Sequence, residues 1–146
     1  MQGAPVVLIA EDDEGHAILV QQTLREAGLS NPIEHFIDGQ AILDFLFRRG
    51  PGPKREVNHP YVLLLDIRMP KVNGVEVLEQ IKSSPELRKL PIIMLTTTDD
   101  PREVVRCHDL GCNVYIQKPV DYVKFYEAIR RLGLFMKLLL VPQVNG

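Results

Sequence analysis

Cysteine is scarce in this chain: its 146 residues hold two, Cys107 and Cys112. Their spacing is not one that zinc sites use, and four scattered histidines do not complete a metal-binding set of nitrogen and sulfur donors. The opening "MQGAPVVLIAEDD" lacks the basic region and long apolar run of a secretory signal. Both thiols are therefore read as reduced packing residues of a cytoplasmic protein. An excess of positive charge is also missing: 17 Lys and Arg stand against 19 Asp and Glu, a net charge of -2, which argues against a nucleic-acid surface. No apolar run approaches the roughly 18 to 20 residues that span a bilayer, so no membrane helix is expected. Internal repeats, low-complexity tracts, a glycine-rich phosphate loop and a Ser-His-Asp set are absent as well.

What the chain does contain is a regular alternation. Three short runs rich in Val, Ile and Leu, "PVVLIA" (5–10), "YVLLL" (61–65) and "PIIML" (91–95), have the pattern of parallel strands buried on both faces. "PIEHFI" (32–37) and "VYIQ" (114–117) add two weaker candidates. Between them lie segments of helical period at 15–27, 40–47, 75–82, 102–110 and 122 to about 132. The punctuation agrees: Gly28 closes the first helix, Asp38-Gly39 opens the second, Asn73-Gly74 turns into the third and Asp99-Asp100-Pro101 caps the fourth. Strands alternating with helices predict an α/β fold, a doubly wound five-stranded parallel sheet. The one irregular insert, "RRGPGPKREVNHP" (48–60), is expected to be a surface loop, either functional or a solvated linker.

In such a sheet the C-terminal strand ends share one edge, and polar residues sit at each strong one. Glu11, Asp12 and Asp13 follow the first strand, Asp66 the third, Thr96 to Thr98 the fourth, and Lys118 the fifth. Singly these residues are turn formers and caps, and Asp13 is read as a helix cap. Together they have a shared chemistry. Two carboxylates about 4 Å apart repel by roughly 4 kcal/mol at an effective dielectric near 20, so three at one edge need cations. Lys118 supplies one. Oxygen-only ligands select a hard divalent ion such as Mg²⁺ or Mn²⁺ for the rest. A carboxylate beside a metal, a lysine and a hydroxyl can act as nucleophile toward a phosphoryl group.

The stretches "LIAEDD", "LLLDIRMPKVNG", "PIIMLTTT" and "YIQKP", in this order and spacing, resemble the receiver domain of two-component response regulators. The resemblance covers about residues 6 to 132 and implies a flavodoxin-like fold with strand order 2-1-3-4-5. It further implies that Asp66 is the phosphoacceptor, that Glu11 and Asp12 hold Mg²⁺ with Asp66 and the backbone carbonyl of Arg68, that Thr96 is the switch hydroxyl, that Lys118 pairs with the phosphoryl group, and that Tyr115 is the aromatic whose rotamer follows the switch. Taken without the resemblance, Tyr115 is a half-buried strand aromatic. Thr97 stands where the family often has a small residue, and Val120 replaces the usual aromatic after Lys-Pro. The insert, "LTTTDDPRE" and the apolar tail are similar to single-domain regulators that serve phytochromes.

These readings set the expectations for the whole chain. Residues 1–146 form one receiver domain with a core of about 6–132 and an extension of 133–146, which leaves no room for an output domain. Its partner is a sensor histidine kinase, by the narrower resemblance a phytochrome. Apart from taking up and losing its own phosphoryl group it is not an enzyme. The rival is a haloacid dehalogenase-type phosphatase, which also places a nucleophilic Asp after an apolar strand. Such enzymes carry a second acid two residues on, where this chain has Arg68. The tail "LFMKLLLVP" after Gly133 is apolar nearly all round, and burial against a second copy, giving a homodimer, is expected.

Overall fold

The computed structural model describes residues 5–96, 100–117 and 122–139. Five strands alternate with five helices: β1 (Val6–Ala10), α1 (Glu14–Glu26), β2 (Ile33–Phe36), α2 (Gly39–Leu46), β3 (Tyr61–Leu65), α3 (Gly74–Lys82), β4 (Ile92–Thr96), α4 (Pro101–Leu110), β5 (Val114–Gln117) and α5 (Tyr122–Leu139). The strands form one parallel sheet in the order β2-β1-β3-β4-β5, as the sequence predicts.

The uninterrupted apolar strands have a simple cause: successive side chains point to opposite faces, and both faces are covered. Leu8, Ala10, Leu63, Leu65, Ile92 and Met94 pack on the face carrying α2, α3 and α4. Val7, Ile9, Val62, Leu64, Ile93 and Leu95 pack on the other, against residues of α1 and α5. Helix starts follow the local chemistry, since Asp13, Asp38, Asn73 and Asp100 each accept a hydrogen bond from a backbone N–H of the first turn.

Two regions differ from what periodicity suggests. Helix α5 does not stop near residue 132 but runs to Leu139. Its inner face stays buried at Ile129, Leu132 and Met136. The close approach to α1 is possible because Gly133 has no side chain; a Cβ there would lie 2.8 Å from the Ala27 Cβ. Part of the apolar tail is thus consumed by the chain's own α1. The 48–60 insert has no helix or strand but is anchored. Arg55 donates from Nε to the Leu46 carbonyl at 2.6 Å, pairs with Glu86 at 3.0 Å, and is nearly buried. His59 packs its ring on Tyr61. This loop lies with the N-terminal ends of β1, β3 and β4, near Pro5, Pro60 and Pro91, at the sheet edge opposite the carboxylates.

Candidate functional site

The edge beyond the C-terminal strand ends is built by extending the ladder one residue past β1 and β3. The Asp66 N–H donates to the Ala10 carbonyl at 3.0 Å and the Glu11 N–H to the Phe36 carbonyl at 3.0 Å. Hydrogen bonds of the sheet thereby carry two acids, separated by 55 positions in the chain, to one place. Glu11, Asp12 and Asp66 each offer a carboxylate oxygen, and these oxygens lie within 4.8 Å of one another. Glu11 and Asp66 are buried at 4% and 6% exposure, whereas Asp12 is open to water.

This donor set fits a hard divalent cation. It is all oxygen, three charges are gathered at the spacing of ligands around one ion, and two of them are withdrawn from water. The burial matters because carboxylates taken out of water are stable only where compensating charge or donors are supplied.

The loop after Asp66 is held rigidly. The Gly74 N–H donates to the Ile67 carbonyl at 2.8 Å, the Met69 N–H to the same carbonyl at 3.1 Å, and the Val72 N–H to the Pro70 carbonyl at 2.8 Å. Lys71, in the left-handed region at φ 68°, reaches Asp38 with its ammonium 3.6 Å from Oδ2. Arg68, whose carbonyl the resemblance makes a metal ligand, turns its guanidinium to Glu103 of α4 at 3.4 Å. Asp12, Arg68, Asn73, Glu103 and Arg106 line one depression beside the carboxylates.

The backbone of Thr96 ends β4 in register with Gln117, so the strand end falls on the same edge. Lys118 lies outside the described residues, as does Thr97. Tyr115 is half-buried and packs against the core on the α4 face, with its ring 6.1 Å from that of His108. Burial pushes its hydroxyl up to about 12, helped by Cys107 and Cys112 once those thiols have ionised and by the Glu103 carboxylate, and opposed by Arg68. The two cysteines are buried and free.

Sequence reasoning passed over three groups. His16, on α1, places Nδ1 3.7 Å from Glu11 Oε1 and 4.0 Å from Asp13 Oδ2. His35 donates from Nε2 to the Glu11 carbonyl at 2.6 Å. Glu103 reads in the sequence as an ordinary first-turn acid of a helix, and only the position of α4 over the loop after β3 brings it to Arg68. For His16, its place one turn into the helix that follows the acidic pair was the available signal.

With this geometry in view, the likeness to known proteins becomes specific. Residues 7–130 match the response regulator receiver domain family. A receiver domain from Rhodospirillum rubrum has the same fold at a TM-score of 0.86 and 42% identity, over 97% of this chain and 99% of that one. The Mn²⁺-bound form of response regulator Rcp1 of Synechocystis superposes at 0.83 with 27% identity, over 96% and 99%. The bacteriophytochrome response regulator RtBRR superposes at 0.76 with 38% identity, over 99% and 84%.

Proposed function

Because the chain belongs to the response regulator receiver domain family, we propose that Asp66 is its phosphoacceptor and that the donor is a phosphohistidine of a sensor kinase, of the phytochrome class. The observation that carries this reading is the convergence of the Asp66, Glu11 and Asp12 carboxylates on one point at the strand edge. A nucleophilic oxygen of Asp66 attacks phosphorus; the O–P bond forms as the P–N bond to the kinase histidine breaks, and the imidazole nitrogen keeps the electron pair and takes up a proton.

Glu11, Asp12, Asp66 and the carbonyl of Arg68 would hold Mg²⁺ or Mn²⁺. When bound, such an ion offsets the charge of the carboxylates and of the incoming phosphoryl oxygens. The chain's own part is positioning. The ladder bonds at Asp66 and Glu11 fix the two buried acids, and the turn ending at Gly74 fixes the Arg68 backbone. In this reading Lys118 pairs with the phosphoryl group, Thr96 moves its hydroxyl to it, and Tyr115 follows. The likeness to the bacteriophytochrome response regulator RtBRR supports a phytochrome kinase as donor.

The phosphatase alternative is not favoured, since the position of its second acid is Arg68, which is held by Glu103. A second copy of the chain remains the proposed partner of the outer face of α5, where Val123 and Leu134 are exposed.

The test is intact mass after incubation with acetyl phosphate and Mg²⁺. Wild type should gain one acid-labile phosphate and Asp66→Asn none. Equal incorporation in both would reject Asp66 as the acceptor.

A further inference from the structure

The 48–60 insert walls a cleft at the sheet edge opposite the carboxylates. Its volume of about 690 Å³ lies within the roughly 300 to 1,000 Å³ of sites that hold small molecules. The wall is fixed in place. The Arg55 N–H donates to the Phe45 carbonyl at 3.1 Å, its Nε to the Leu46 carbonyl, and the Glu56 N–H to the Tyr61 hydroxyl oxygen at 2.9 Å. His59 lies against Tyr61, and Tyr61 stands edge-on to Phe45 of the core, with ring centroids 5.7 Å apart. Leu46, Leu87 and Leu90 line the cleft from the domain side.

Two polar groups of this cleft are not used by the fold. Arg48, at the exposed rim, has no side-chain hydrogen bond or ion pair among the described residues. Its backbone is nevertheless held at φ 57°, a left-handed conformation that is costly for a residue with a Cβ. The second group is His59 Nε2, which is buried without a hydrogen-bond partner among the described residues, while Nδ1 faces the Glu56 carboxylate at 3.6 Å. A ligand group that hydrogen-bonds to Nε2 would recover the free energy that this burial costs. The remaining charges of the lining cancel: Glu86, the one carboxylate there, pairs with Arg55 at 3.0 Å. An unused positive charge therefore stands at the mouth of an apolar cleft.

We propose that this cleft is a binding site for a small organic acid with an apolar ring or chain, whose carboxylate pairs with Arg48 and whose body lies on Leu87, Leu90 and Tyr61. The chemistry of the lining selects that class. A bare inorganic anion would leave the apolar floor in water, a neutral apolar molecule would leave Arg48 unused, and an amine would be repelled by it. Arginine suits a carboxylate in particular, because its forked donors match the two oxygens. The site is separate from Asp66 and does not depend on the phosphoacceptor reading.

The test is a titration of the full chain followed by ¹H–¹⁵N NMR. The probe is 6-hydroxy-2-naphthoate, which carries an acid, a ring body and a hydroxyl, and 6-hydroxy-2-naphthamide is its uncharged counterpart. The acid should shift the backbone amides of Val57, Asn58, His59, Leu87 and Leu90, and it should bind about fivefold more tightly than the amide, the size that one exposed ion pair supports. Arg48→Gln should abolish that preference while its spectrum stays folded, and Arg48→Lys should keep it. Four results would each overturn the proposal. The amide could bind as tightly as the acid, or the preference could survive in Arg48→Gln, which would deny Arg48 its role. The largest shifts could fall instead on the outer face of α5 around Val123 and Leu134, which would mean adsorption to an exposed apolar surface. No shift at about 2 mM probe, where even a Kd near 1 mM gives about two-thirds occupancy, would mean that the cleft takes no such ligand.

Discussion

Gly74 lies so close to Asp66 that a Cβ placed on it would sit 2.1 Å from the Asp66 carbonyl oxygen, with the Ile67 Cα at 2.7 Å. The contact is backbone against backbone, so no side-chain rotation relieves it. The start of α3 is thereby pressed against the backbone of the proposed phosphoacceptor, and the turn between them has little room to vary.

Gly74→Ala should consequently shift the loop after β3. Overpacking of a tight site costs about 1 to 3 kcal/mol, and a thermal melt should show that loss. Phosphorylation by acetyl phosphate should slow beyond what the loss of folded protein accounts for, because the Arg68 carbonyl and Asp66 move together. A variant with wild-type melting and wild-type phosphorylation would contradict the close contact.

Asp12→Asn separates metal binding from stability. Each pair of charges 4.8 Å apart repels by roughly 3 kcal/mol at an effective dielectric of 20, less for exposed Asp12, which water screens. Removing one charge should leave the metal-free melting temperature unchanged or higher. Mg²⁺ affinity, measured by titration, should fall by at least about tenfold, since even partners one shell further out contribute that much. Unchanged affinity would place the ion elsewhere.

Stability should decline at alkaline pH. Burial pushes the Cys107 thiol up to about 11 and the Tyr115 hydroxyl up to about 12, and Cys112 is raised as well. At pH 7 and below these groups are protonated in both folded and unfolded chains and contribute nothing to the pH dependence. Between about 8 and 12 the unfolded chain gives up protons that the folded chain keeps, so unfolding is increasingly favoured as pH rises. Denaturant midpoints at pH 8 and pH 10.5 measure the effect, and Cys107→Ser/Cys112→Ser should reduce it. At pH 8 the native thiols should resist alkylation until the protein unfolds.

Leu134 distinguishes packing within the chain from packing between copies. It is 44% exposed on the outer face of α5, while Leu132 and Met136 are buried against the same chain. Leu134→Glu should spare the fold and abolish dimers in light scattering at about 100 μM, where a Kd near 10 μM would leave wild type mostly dimeric. A wild type that stays monomeric at this concentration, phosphorylated or not, would exclude self-association by α5.

The sheet and its acidic edge were legible in the sequence because both depend on short-range order. Runs such as "YVLLL" are apolar at consecutive positions, which only a strand covered on both faces requires, and caps such as Asp38 and Asn73 mark helix starts by local hydrogen bonding. A parallel sheet puts Glu11, Asp12 and Asp66 on one edge, and the adjacency of β1 and β3, which the family resemblance implies, brings them together. Tertiary structure decided what pattern leaves open. Apolarity around the whole tail does not say which side has a partner; the contact of Gly133 with Leu24 and Ala27 selects one side and carries α5 to Leu139. The pairing of Arg68 with Glu103 and of Lys71 with Asp38, like the approach of His16 to Glu11, depends on how helices and loops sit over the sheet edge. Helix placement is set by the shapes of the packed cores, and a surface charge carries no local mark of the element that will be packed beside it.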